Sequence, residues 1–116
     1  MTLKDLMDKT GMRLLTPDAP LQREVTTGYS CDLLSWVLAH GQAGMAWITV
    51  QTHLNVIAVA MLMDMACVII PEGITLEEPT LQKPEEEGVP VFASDKTAYE
   101  LSGLMFALGV GQAERT

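Results

Sequence analysis

Residues 45–73 read MAWITVQTHLNVIAVAMLMDMACVIIPEG, which parses as strand, loop, helix and strand. Ala46-Trp47-Ile48-Thr49-Val50 carries the bulky and β-branched side chains of a buried strand, and Cys67-Val68-Ile69-Ile70 is a short apolar run closed by Pro71 and Gly73. Between them the chain is apolar at almost every position from Val56 to Met65, interrupted by Asp64. A strand, a crossover helix and a second strand in this length predict a right-handed βαβ unit with parallel strands. The loop Gln51-Thr52-His53-Leu54-Asn55 then falls at the carboxyl end of the first strand, where open α/β sheets place their ligands.

Working outward, 116 residues make one domain with room for a core. Residues 2–9 predict a lead-in amphipathic helix stopped at Gly11, with Leu3, Leu6 and Met7 on one face. Residues 12–15 and 22–27 read as strands, the second leading into a strand-to-helix junction at Gly28-Tyr29-Ser30. Ser30 is the expected N-cap of a helix over 31–40, with Asp32 in its first turn. Thr75-Leu76-Glu77-Glu78 has the form of a capping box, and Pro79 suits the first turn of a helix to about Glu87, although Pro84 would interrupt it. Residues 89–93 read as a strand, and Asp95 or Thr97 caps a last helix, with Thr97 to Glu100 in the capping-box pattern and a buried stripe of Leu101, Leu104, Met105 and Leu108. Residues 112–116 are expected to fray. The prediction is a single α/β domain of about five strands, mainly parallel, with helices packed on the sheet.

Seven basic against fifteen acidic residues give a formal charge of −8. That balance argues against nucleic acid and anionic membrane surfaces, which are read through clustered Lys and Arg. One phosphorylated ligand is still compatible, because backbone amides can hold it. Cys31 and Cys67 fit no zinc or redox spacing, and no His-x-x-x-His or His-x-His pattern exists, so no metal or cofactor is expected. The mixed charge of Met1-Thr2-Leu3-Lys4-Asp5 is unlike a signal peptide, and the apolar run over 56–70 is too short to span a bilayer. The expectation is a cytoplasmic protein.

The succession Thr27-Gly28-Tyr29-Ser30-Cys31-Asp32-Leu33-Leu34, residues 48–53, Val68-Ile69-Ile70, Glu86-Glu87-Gly88-Val89-Pro90-Val91 and Thr97-Ala98-Tyr99-Glu100 resembles the DRTGG domain over roughly residues 22–110. The resemblance implies an α/β accessory module that pairs as a dimer. Such modules occur beside CBS domains in pyrophosphatases and in some phosphotransacetylases, and resemble in fold the N-terminal domain of HPr kinase/phosphorylase. Two departures stand out. Gly28-Tyr29-Ser30 replaces the family's Gly-Asp-Arg, and Gln51-Thr52-His53 replaces its Thr-Gly-Gly.

The candidate site is formed by two loops, with Gly28, Tyr29, Ser30 and Asp32 from one and Gln51, Thr52, His53 and Asn55 from the other. The functional reading is a small phosphorylated or nucleotide-like ligand held by backbone amides and these side chains. The structural alternative is that Ser30, Thr52 and Asn55 cap helices while Gln51 and His53 tie down a loop. A neutral His53 imidazole could also serve as a base with Asp32 in a small enzyme. No Walker-type loop or nucleophile elbow accompanies them, so a non-catalytic module is the expectation. Met61, Met63 and Met65, on a helix apolar nearly all round, and Trp36 point to a covered surface, hence a homodimer or a protein partner.

Overall fold

Alternation within each strand sorts the core into two layers. In the computed structural model, which describes residues 1–112, Ala46, Ile48, Cys67, Ile69 and Phe92 face one way, and Met45, Trp47, Val68, Ile70 and Val91 face the other. The strands carrying them are β3 (Met45–Ile48), β4 (Cys67–Ile70) and β5 (Val91–Ala93), buried at every position. Such continuous burial is what a parallel sheet covered on both faces requires. β1 (Arg13–Leu14) and β2 (Thr27–Ser30) complete a five-stranded sheet of order β1-β5-β4-β3-β2. β2 to β5 run parallel, and β1 pairs antiparallel with β5.

The helices follow the same division. α2 (Leu34–His40), α3 (Leu54–Leu62) and α4 (Glu78–Glu87) cover the face of Trp47 and Val68. α1 (Leu3–Thr10) and α5 (Ala98–Ala107) cover the face of Ile48 and Phe92. The three crossovers from β2 to β5 therefore all pass over one face, and the first and last helices, α1 and α5, lie on the other. This is the expected α/β architecture, and β3-α3-β4 is the expected parallel unit. No helix among the described residues is long and apolar enough to cross a membrane.

Local chemistry accounts for the ends of the elements. Thr2 and Thr97 each form a reciprocal capping box, with Asp5 and Glu100 respectively, and those hydrogen bonds hold both carboxyls below their ordinary range. Asp64, which breaks the apolar run, lies just past α3 at φ 56°. The Arg23 guanidinium grips both its carboxylate (2.8 Å) and its carbonyl (2.7 Å). That contact lowers the Asp64 pKa. Cys67 is fully buried, and desolvation pushes its thiol up to about 12. It is a small core hydrophobe and stays protonated at neutral pH.

Three expectations need correction. Residues 22–27 do not make the edge strand. Glu24 instead bridges antiparallel to Thr2, Leu3 donates its amide to the Arg23 carbonyl and Val25 donates to that of Met1, so this segment straps the start of the chain. The edge strand is Thr27–Ser30, which includes the residues expected at the strand-to-helix junction. The following helix starts at Leu34 rather than Cys31, and its N-cap position, Leu33, contributes no side-chain bond. Ser30 is no cap, because Cys31 still donates its amide to the Ile48 carbonyl and prolongs the ladder. Thr75 forms no capping box either. With Thr75 as cap, Pro79 would fall at the fourth helical position, where the first intrahelical bond needs an amide that proline lacks. Starting at Glu78 puts Pro79 in the first turn, where no amide is required. The helix then runs through the buried Pro84 to Glu87. Of the stripe expected on the last helix, Leu101 and Met105 are buried, and Leu104 and Leu108 are half-buried. The tail beyond Gln112 lies outside the described residues.

Candidate functional site

The two predicted loops meet, and Asp32 joins them. Its carboxylate accepts from the Thr49 hydroxyl (2.9 Å) and from the Val50 amide (2.9 Å). Gln51 donates its side-chain amide back to the Asp32 carbonyl at 3.1 Å, and its own amide to the Thr49 hydroxyl at 3.2 Å. Beneath this clamp, the buried Trp47 donates its indole N–H to the Cys31 carbonyl at 2.8 Å. The ends of β2 and β3 are thus locked by side chains where the backbone ladder stops. Asp32 is committed to that lock.

His53 occupies the N-cap position of α3, and its Nδ1 accepts the Asn55 amide at 3.0 Å. An accepting Nδ1 places the ring proton on Nε2. The cap function expected of Thr52 or Asn55 therefore belongs to the histidine. Among the described residues no hydrogen bond joins His53 to Asp32, so the structure holds no acid–base pair between them. Nor does any group of three or more His, Cys, Asp or Glu side chains among those residues lie together as a metal site.

Gly28, Tyr29 and Ser30 sit apart from His53. They line a small cleft of about 180 Å³ between β2 and α5, with Ser102 and Met105 on its far side. A Cβ at Gly28 would stand 3.2 Å from the Met105 methyl, so the glycine allows the helix to approach the strand. The Tyr29 side chain packs toward the α2 layer beside Cys31 and Leu34, and partial desolvation there raises its pKa.

Gln51, Thr52 and His53 instead open onto a groove of about 490 Å³, whose opposite wall is Thr75, Leu76, Glu77 and Thr80 at the start of α4. That volume is in the range of small-molecule sites. The N-termini of α3 and α4 converge on it, each carrying the positive end of a helix dipole. Glu77 supplies no side-chain bond to its own helix, and Gln51, Thr52 and His53 are all exposed. The eight predicted positions therefore divide: Gln51, Thr52 and His53 line the groove, Asp32 braces it from below, and Asn55 adds its amide to the cap. Gly28, Tyr29 and Ser30 belong to another cleft. Sequence reasoning missed the wall at Thr75–Thr80, because Thr75 and Glu78 at capping-box spacing read as a helix start and carry no signal of a groove.

No family model and no curated protein matches the chain. Among solved structures, the crystal structure of the CBS and DRTGG domains of the regulatory region of Clostridium perfringens pyrophosphatase, complexed with the activator diadenosine tetraphosphate, aligns with a TM-score of 0.66 and 10% identity. The alignment covers 90% of this chain and 45% of that one, so this chain spans about half the length of its structural match. The likeness is one of fold: a distant structural similarity to a CBS and DRTGG regulatory region.

Proposed function

We propose that the protein is a non-catalytic regulatory module of the cytoplasm that senses a small phosphorylated, nucleotide-like ligand as a homodimer and needs no cofactor. The observation that carries this reading is the groove between the starts of α3 and α4. Two helix N-termini supply positive potential for a phosphate, and Thr52, Thr75 and Thr80 add hydroxyls. Glu77 repels a compact anion but accepts hydrogen bonds from sugar hydroxyls, so a nucleotide suits the groove better than inorganic phosphate. The fold likeness to a regulatory region crystallised with diadenosine tetraphosphate supports the same class of ligand.

The dimer reading rests on the open edge of the sheet. Among the described residues β2 has no strand partner on its outer side, and the segment that follows it exposes Leu33 (62%), at the N-cap of α2, and Trp36 (52%), on α2. The same apolar surface supports a second reading, a structural interaction protein docking on an enzyme or regulator. Light scattering that finds only a 12.6 kDa species would remove the homodimer.

A thermal-shift screen against adenine nucleotides, diadenosine tetraphosphate and inorganic phosphate tests the ligand. At about a hundred times its dissociation constant, a bound nucleotide adds roughly 2.7 kcal/mol and raises Tm by several degrees. His53→Ala and Thr52→Ala are expected to abolish that shift while the apo proteins still melt cooperatively. A flat screen, or a shift unchanged in both variants, would remove this site from consideration and favour the interaction protein.

A further inference from the structure

A second and larger groove, of about 890 Å³, lies on the outer side of α4. Its floor is apolar: Leu15, Leu76 and Leu81 are half-buried and continue into the core beneath α3 and α4. Its rim is acidic, formed by Glu78, Glu85 and Glu86. The basic residue of α4, Lys83, is paired with Glu87 at 3.0 Å, leaving these rim carboxylates without a cation among the salt bridges of the described residues.

Glu85 sharpens the picture. Its Oε1 accepts the Asp18 amide at 3.0 Å, which pins the loop after β1 against α4 and fixes the groove wall. Its Oε2 is buried without a hydrogen-bond partner among the described residues. A carboxylate oxygen withdrawn from water is unfavourable unless positive charge stands near it. The groove therefore combines an apolar seat with an uncompensated negative field.

We propose that this groove docks a basic, leucine-bearing segment of a partner protein, with its apolar side chains on Leu15, Leu76 and Leu81 and its Lys or Arg side chains toward Glu78, Glu85 and Glu86. Apolar anchors supply affinity, and the charged rim selects sign and speeds encounter. The proposal is independent of the ligand reading, because the two grooves share only Leu76 and are otherwise lined by different residues.

The test uses the full chain and a fluorescent peptide of alternating leucine and lysine pairs, followed by anisotropy. Binding is expected to weaken as salt rises, and by at least about tenfold in Glu78→Gln/Glu86→Gln. The pair Asp8→Asn/Glu24→Gln removes the same charge on the α1 side and is expected to leave binding unchanged. Twin peptides with serine for leucine, or glutamate for lysine, are expected to bind at least about tenfold more weakly, since each lacks one half of the recognition. Amide shifts should map to Leu15 and residues 76–86. No binding, equal loss in both double variants, equal binding of the serine twin, or shifts elsewhere would each overturn the proposal.

Discussion

Trp47→Ala is expected to lower the unfolding free energy by about 3–5 kcal/mol, the range for emptying a large aromatic site in a packed core. Trp47 is fully buried at the centre of β3, and it packs in the layer that holds Val37, Val56, Ile57 and Val68. Its indole also donates to the Cys31 carbonyl, so truncation opens a cavity and leaves that carbonyl unpaired at the same time. Against a domain stability of roughly 5–15 kcal/mol, the variant should be largely unfolded at moderate urea. Trp47→Phe separates the two contributions. It keeps most of the volume and loses the hydrogen bond, for a cost of about 1 kcal/mol. If urea titration gave Trp47→Ala and Trp47→Phe the same stability, the cavity argument would fail.

Asp32→Ala is expected to cost about 2–3 kcal/mol, a large effect for an exposed side chain, since surface substitutions usually fall within about half a kcal/mol. The reason is that Asp32 serves two donors. The Thr49 hydroxyl is buried, and the Val50 amide stands just beyond the last residue of β3. Removing the carboxylate orphans both and frees the 49–53 loop that carries the groove residues. Both donors meet the same carboxylate oxygen, Oδ1, so the amide oxygen of Asp32→Asn can keep both bonds and should recover most of the loss. Hydrogen exchange reports the local effect: the Val50 amide should lose protection in Asp32→Ala while the amides of β4 keep theirs. An unchanged Val50 exchange rate would show that the clamp contributes nothing to the loop.

The parts of this molecule legible in its sequence are those where burial dictates composition. The runs at residues 45–48 and 67–70 must be apolar on both faces, and the Thr97–Glu100 box contains its own hydrogen-bond partners within four residues. The edge strand was harder to place. Thr27-Gly28-Tyr29-Ser30 has the composition of a turn, and its strand state comes from pairing with Met45 to Ile48 and from the close approach of Met105 to Gly28. The candidate site was half legible for the same reason. The loop after β3 announces itself at the end of a strong strand signal, whereas the wall at Thr75–Thr80 joins it only through three-dimensional packing. Asp32 reads in the sequence as a candidate ligand residue, but a contact seventeen residues away in the chain gives it a bracing role that no local pattern encodes.

The strand order carries one further consequence, in the entropy of chain closure. From β2 to β5 each strand lies beside its successor, so the paired residues Thr27 and Met45, Ala46 and Cys67, and Val68 and Val91 are separated by only roughly 20 positions. β1 is different. Arg13 meets Ala93 across about 80 positions, and closing that longer loop costs about 1 kcal/mol more than closing one of the others. Only two residues of ladder offset this cost directly. Thr16 makes up part of the shortfall: fully buried, its hydroxyl accepts the Val91 amide and donates to the Val89 carbonyl, extending the seam where the ladder ends. The first third of the chain is thus a long-range clasp on a sheet whose other strands assemble from near neighbours.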